Sequence, residues 1–322
     1  MNAIITGGAG FIGSYLSKEL IQRGFNIAIW DNLFRGKYSN IKELLDENNL
    51  FFNIDMSKYE NIGQMADLLL TNEPEYIFHY AAINGTQYFY DIPATVLETN
   101  ANITYNLMLA LREAKRRQNT FHTKIIYASS SEVYGEPLSL PSKETDITYV
   151  VTSHIRDSYA AAKLIGEFYV KLISEELGLE WITLRLFNVY GPKMIGTKYG
   201  QVIPEFIKRL SEGEYPLSVY GNGEHMRSFC YVTDNVNNTI ELALSSTKNE
   251  IFNIGNDHEI SILELGTLIM EKMQLTPKFI FLPEREGDHK RRCPDTTKIH
   301  AVIGPRKYIS LEDGLEMMLG KH

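Results

Sequence analysis

The chain has 322 residues, 44% of them apolar, and a net charge of −8; that is enough to build one large core or two modest ones, and the acidic balance disfavours nucleic acid or an anionic membrane surface as partner. No run of about 18 apolar residues offers a membrane span, and the chain opens directly into an apolar stretch without the basic-plus-apolar start of an export signal, so a cytoplasmic protein is expected. The two cysteines, Cys230 and Cys293, have neither the pairing of a disulfide framework nor the spacing of a metal site.

In chain order, the short apolar run Ala3-Ile4-Ile5 is followed by Thr6-Gly7-Gly8-Ala9-Gly10-Phe11-Ile12-Gly13 and a helical pattern from Ser14 to Arg23. This is strand, tight turn and helix. Gly8, Gly10 and Gly13 meet the G-x-G-x-x-G spacing, and Gly7, Gly10 and Gly13 a G-x-x-G-x-x-G variant, so backbone can approach a pyrophosphate at a helix amino terminus. A second apolar run, Asn26 to Trp30, ends in Asp31, close to the roughly 20-residue offset at which an acid reads an adenosine ribose. A carboxylate there repels a 2′-phosphate, which favours NAD over NADP as cofactor.

The pattern then alternates. A helix is expected near Ile41 to Glu47, a strand at Leu50 to Ile54, a helix at Asn61 to Thr71, a strand at Tyr76 to Tyr80 and a helix at Ala94 to Arg117. Strand Lys124 to Tyr127 leads into Ala128-Ser129-Ser130-Ser131, followed by helix Ser158 to Leu177 and strand Trp181 to Leu184. Such alternation predicts an α/β fold, a Rossmann-type doubly wound parallel sheet with ligands beyond the carboxyl ends of its strands. Those ends are Thr6, Asp31, Asp55, Ala81-Ala82 and Ser129 to Glu132. Beyond Phe187 the chain becomes punctuated by Gly and Pro, with a helix at Val202 to Glu212, a strand at Leu217 to Tyr220, a helix at Ser261 to Met273 and a loop from Pro283 to Pro294. The expected organisation is a dinucleotide-binding domain over 1–186 and a smaller substrate lobe over 187–322. The two are partly interleaved, because a segment near 228–254, including a helix at Val232 to Leu244, returns to the first domain.

Tyr159 and Lys163 lie at i and i+4 of a helical pattern, on one face and about a turn apart. An ammonium near a phenol favours phenolate, and a serine from another element can complete a proton path to a substrate alcohol. His79 reads as a structural histidine, and Tyr88, Phe89 and Tyr90 as either a pocket wall or loop packing.

Together with Asp31-Asn32-Leu33, Ala81-Ala82, Ser129-Ser130-Ser131-Glu132-Val133-Tyr134-Gly135, Tyr159-Ala160-Ala161-Ala162-Lys163 and Phe187-Asn188-Val189-Tyr190-Gly191-Pro192, the glycine stretch makes the chain resemble, nearly end to end, an extended short-chain dehydrogenase/reductase of the nucleotide-sugar epimerase/dehydratase group. The resemblance implies that Tyr159 is the catalytic base, that Lys163 holds the nicotinamide ribose and tunes Tyr159, and that Ser130 binds the substrate hydroxyl. It places Gly7, Gly10, Phe11, Ile12, Gly13, Asp31 and Asn32 on NAD, Asp55 and Met56 beside adenine, Ala81 and Ala82 under the pyrophosphate and ribose, and Asn100 near the site. Asn188, Arg227 and Arg292 match contacts to the nucleotide diphosphate, and a homodimer through the helices Ala94 to Arg117 and Ser158 to Leu177 is implied.

Oxidation at sugar C4 is the implied first step, with NAD restored later in the cycle. From the 4-keto sugar three outcomes open: epimerisation, loss of water between C5 and C6, or loss of carbon dioxide from a C6 carboxylate. Ser130-Ser131-Glu132 resembles the hydroxyl-Ser-Glu triplet of UDP-glucuronate decarboxylases and GDP-mannose 4,6-dehydratases, with Glu132 as acid/base, which favours decarboxylation or dehydration. Tyr159-Ala160-Ala161-Ala162-Lys163 is closer to the 4-epimerases, the alternative. A non-catalytic NAD-binding regulator on the same fold is a remote third reading, opposed by the intact Ser130, Tyr159 and Lys163.

Overall fold

Strands that are apolar on both faces must be covered on both faces, which calls for helices above and below a parallel sheet. A computed structural model, describing residues 1–196, 201–284 and 290–320, has this arrangement. Its elements are β1 (Asn2–Thr6), α1 (Phe11–Gln22), β2 (Asn26–Asp31), β3 (Leu50–Asn53), α2 (Ile62–Asn72), β4 (Tyr76–His79), α3 (Thr86–Asp91), α4 (Pro93–Arg117), β5 (Lys124–Ser130), α5 (Asp157–Leu177) and β6 (Glu180–Leu186). They continue with β7 (Val189–Tyr190), α6 (Val202–Ser211), β8 (Leu217–Tyr220), β9 (Met226–Ser228), β10 (Cys230–Tyr231), α7 (Val232–Leu244), β11 (Glu250–Ile254), β12 (Glu259–Ser261), α8 (Ile262–Lys272), β13 (Phe279–Leu282), β14 (Arg291–Arg292), α9 (Thr297–Ile303) and α10 (Leu311–Met318).

Seven strands form one sheet in the order β11-β6-β5-β4-β1-β2-β3, all neighbours parallel. Alternate residues of each strand feed opposite cores: Ile5 and Ile29 pack with Leu16, Leu20, Val236 and Ile240 of α1 and α7, while Ile4 and Trp30 pack with Met65, Leu69, Leu107 and Val170 of α2, α4 and α5. The strand order reverses between β1 and β4, so a crevice opens there at the carboxyl ends. β11, far along the chain, pairs with β6 as the edge of this sheet. The remaining strands build three small sheets, one of which sets β9 beside both β12 and β14.

Three local expectations change. The helix expected at Ile41 to Glu47 is instead two short 3-10 turns, Tyr38–Asn40 and Lys42–Leu44. Only Ile41, Leu44 and Leu45 of that stretch are apolar, and the Asp46 carboxylate takes the backbone N–H groups of Asn48 and Asn49, both at 2.8 Å, which closes a turn rather than a helix. β5 runs three residues further than Tyr127, because Ala128, Ser129 and Ser130 continue the pairing with β6. Within the Pro283 to Pro294 stretch, Arg291–Arg292 is a strand, and residues 285–289 lie outside the described residues.

Candidate active site

Where β1 ends, Gly7 takes a left-handed backbone (φ +69°) and a Cβ on it would stand 2.8 Å from the Ala81 Cα. Only glycine allows the two strand ends to approach so closely. A Cβ on Gly13 would lie 2.2 Å from the Gly7 carbonyl oxygen, so the first turn of α1 rests on the loop. Gly10 caps that helix without a side-chain hydrogen bond, which leaves the first-turn N–H groups and the positive helix end to a ligand. At the end of β2 the Asp31 carboxylate accepts from the Ala9 N–H (3.0 Å) and the Leu33 N–H (2.8 Å). Burial raises its pKa above the ordinary carboxylate value, against the opposing effect of those two bonds. A backbone cradle, an uncapped helix end and a planted carboxylate together fit a dinucleotide.

The neighbouring residues shape this crevice. Asn32 accepts from the Phe34 N–H, and Asp55 from the Ser57 N–H and hydroxyl. Met56 is buried and its carbonyl accepts from Asn106; the Ala81 N–H donates to the Thr6 hydroxyl. Asn100 spends both amide functions on Ile83, accepting from its N–H at 2.7 Å and donating to its carbonyl at 3.0 Å. It therefore holds the loop after β4. His79 sits between the hydroxyls of Thr6 and Thr104, and burial pushes its pKa down to about 3.

A cavity of about 730 Å³ begins at Phe11, Ile12 and Ala82, passes Ser130, Glu132, Tyr159 and Lys163, and ends among Asn188, Arg227 and Arg292. Gly7, Gly10, Gly13, Asp31, Asn32, Asp55, Met56, Ala81 and Asn100 stand outside its wall.

α5 carries Tyr159 and Lys163 and lies very close to β5, because a Cβ on Gly166 would fall 2.0 Å from the Tyr127 hydroxyl. Lys163 Nζ accordingly reaches the Ala128 carbonyl at 2.7 Å, 5.8 Å from the Tyr159 ring centroid. Burial pushes the ammonium down to about 7, opposed by the charge of Glu167. The Tyr159 phenol moves up instead of down: burial dominates, the charge of Glu132 adds to it, and the Ser130 hydrogen bond and the charge of Arg35 pull the other way. The expected shift toward phenolate is thus outweighed by desolvation. The face of Tyr159 is covered by Phe89, centroids 4.6 Å apart and planes 17° from parallel. Phe89 and Tyr90 line the cavity, whereas Tyr88 packs against Phe34 and beneath Arg35. Behind the wall, Glu167 accepts from the Ser129 hydroxyl at 2.6 Å and pairs with both ends of the Arg185 fork, at 3.0 and 2.9 Å, which braces the strand end bearing Ser130.

Glu132 is held by two arginines. Arg292 donates to both of its oxygens, the second bond at 3.1 Å, and Arg156 Nη2 lies 3.4 Å from Oε2. Both arginines are under a tenth exposed. Among the described residues, Glu132 thus gathers two guanidiniums on the cavity wall. Arg292, read from the sequence as a phosphate contact, is thus paired with Glu132; Arg227 stands opposite it in the β9–β14 register, its Nη1 donating to the Met226 carbonyl at 2.9 Å, and Asn188 donates to the Ser228 carbonyl. Arg156 escaped sequence reasoning. It precedes α5 by one residue and Tyr159 by three, with no motif to mark it. Among the described residues no cluster of His, Cys, Asp or Glu is placed to hold a metal ion, and no helix is long and apolar enough to cross a membrane.

Residues 3–255 match the family model described as "NAD dependent epimerase/dehydratase family". The chain is 35% identical over 319 residues to the UDP-N-acetyl-alpha-D-glucosaminuronate decarboxylase of Bacillus cytotoxicus, covering 97% of this chain and 95% of that protein. It is 33% identical to UDP-glucuronic acid decarboxylase 1 of Xenopus tropicalis, over 97% of this chain and 70% of that protein. Among solved structures, the UDP-glucose 4-epimerase of Thermotoga maritima with UDP-glucose superposes with a TM-score of 0.87 at 30% identity, covering 100% of this chain and 98% of that one.

Proposed function

Because the chain belongs to the NAD dependent epimerase/dehydratase family, we propose that it decarboxylates a UDP-linked hexuronate through a 4-keto intermediate. The observation that carries this reading is the pair of guanidiniums, Arg156 and Arg292, gathered on Glu132 in the cavity wall with Tyr159. A C6 carboxylate suits guanidinium forks, which meet carboxylate oxygens bidentately, whereas a neutral hexose makes no charged bond with them.

A bound NAD would supply the hydride acceptor for C4 and, once reduced, the hydride that restores the alcohol. The glycine loop with Phe11 and Ile12 holds its pyrophosphate, Asp31 and Asn32 its adenosine ribose, and Lys163 its nicotinamide ribose; Asp55 and Met56 border adenine, while Ala81, Ala82 and Asn100 form the floor. Tyr159 removes the proton of the C4 hydroxyl, which Ser130 orients, and Lys163 and Arg35 offset part of the burial cost of the phenolate. With a ketone at C4, the C5–C6 bonding electrons flow toward it, carbon dioxide leaves, and a proton returns to C5. The incoming carboxylate competes with Glu132 for the guanidinium forks, and the Glu132 carboxylate so released takes up a proton from solvent and passes it to C5. Loss of water would need one group to deprotonate C5 and another to protonate the departing C6 hydroxyl, and Arg292 engages both oxygens of Glu132. Asn188 and Arg227 hold the diphosphate.

Likeness to the 4-epimerase supports a second reading, hydride return to the opposite face with unchanged mass. Incubation with UDP-glucuronate, its 2-acetamido counterpart and UDP-glucose, read by mass spectrometry and NMR, separates the two. Loss of carbon dioxide is expected from a hexuronate; loss of water, or an epimer of unchanged mass, would overturn the decarboxylase reading. The protein acts as a cytoplasmic homodimer: α4 and α5 leave Leu97, Tyr105, Ile165, Phe168 and Leu172 exposed on adjacent faces, a stripe that a second copy would cover.

A further inference from the structure

The loop after β2 is tied down onto the glycine loop. Lys37 N–H and Asn40 Nδ2 both donate to the Ala9 carbonyl, at 3.0 and 2.9 Å, and a Cβ on Gly36 would stand 2.9 Å from that of Ala9. Between these anchors the side chain of Arg35 points the other way. Its Nη1 lies 2.6 Å from where a Cβ on Gly85 would stand, and its guanidinium carbon 5.3 Å from the centroid of the Tyr88 ring. Gly85 and Tyr88 follow β4. Since β1 lies between β2 and β4 in the sheet, Arg35 runs over the carboxyl end of β1, where the glycine loop emerges.

Arg35 is half-buried, and among the described residues no carboxylate stands within ion-pair distance of it; the groups that act on its charge are the phenols of Tyr88 and Tyr159. A guanidinium drawn partly out of water without an anion is a costly arrangement unless an anion arrives. The crevice beneath it is built for one, with the backbone cradle at Gly7 and the uncapped start of α1. The Asp31 carboxylate lies against the backbone of Gly36, both oxygens 2.8 Å from where a Cβ would stand, while the Arg35 guanidinium lies beside Gly85 and Tyr88, so it reaches toward the end of β4 and forms no ion pair with Asp31.

From this geometry we infer that Arg35 is a strap across the cofactor crevice, its planar fork closing on the pyrophosphate of the bound dinucleotide and retaining it through the cycle. The inference rests on the dinucleotide reading of the glycine loop.

Dissociation of NADH and of ADP-ribose, measured by fluorescence displacement from the wild type, Arg35→Ala and Arg35→Lys, tests it, with adenosine competition as the control that lacks a pyrophosphate. Loss of a charged, forked contact raises the release rates of NADH and ADP-ribose roughly 10- to 100-fold in Arg35→Ala, with Arg35→Lys intermediate and adenosine affinity changed by less than about twofold. Release of ADP-ribose within about twofold of wild type overturns the strap. So does an equal weakening of adenosine, which would mean a displaced loop, or a selective effect on NADP, which would mean a ribose reader. If the wild type binds neither NADH nor ADP-ribose, the cofactor reading itself falls and the strap with it, a result distinct from the preceding ones.

Discussion

Replacing Arg156 by Met keeps the unbranched stem at a site only 9% exposed and removes one of the two guanidiniums that Glu132 gathers among the described residues. Arg292 continues to hold both oxygens of Glu132, and the wall keeps its shape. A guanidinium about 5 Å from a bound carboxylate, at an effective dielectric near 20, contributes about 3 kcal/mol. Water entering the vacated space returns part of that, leaving about 2 kcal/mol, roughly 30-fold in affinity. The assay is a pair of dissociation constants, for UDP-glucuronate and for UDP-glucose, together with kcat/KM for carbon dioxide release. Arg156→Met should weaken the hexuronate roughly 30-fold and leave UDP-glucose within about threefold. An equal loss for both sugars, or a melting temperature that collapses in parallel, would refute the argument, because the arginine would then be packing the wall rather than reading a carboxylate.

Other consequences follow from the same site. Lys163 titrates near 7 in the fold against a usual 10.5, so between those values the folded protein binds fewer protons than the unfolded chain and the stability of the cofactor-free protein rises with pH. Lys163→Met should therefore raise the melting temperature most near pH 7 and progressively less toward pH 10; a pH-independent gain would contradict the buried-ammonium account. Glu132→Gln should let reduced cofactor accumulate while product formation falls roughly a hundredfold, and unchanged turnover would remove Glu132 from proton delivery. In the proposed dimer, replacing Phe168, 58% exposed on α5, by Arg should leave a monomer in light scattering; a wild-type monomer at micromolar concentration would defeat the interface proposal.

The glycine loop, Asp31 and the Tyr159–Lys163 pair were readable because their chemistry is local. A turn that admits only glycine, a residue at a strand end and two positions one helical turn apart are all encoded within short stretches. The same local reading overreached at Ile41 to Glu47, where a few apolar residues mimic a helical period over a stretch closed by Asp46. It also gave no sign of α3, whose Phe89 covers Tyr159.

Sequence alone determined the alternation of strand and helix and the crevice that follows from it, since backbone sterics and side-chain periodicity act over a few residues. Only the tertiary structure decided which charged groups meet on the cavity wall. Glu132 and Arg292 are 160 positions apart, and Arg156 arrives from a third segment. Their meeting depends on how β5, α5 and β14 pack. The protonation of Tyr159 and Lys163 was decided in the same way, because burial by distant segments outweighs the attraction between a phenol and an ammonium one turn apart.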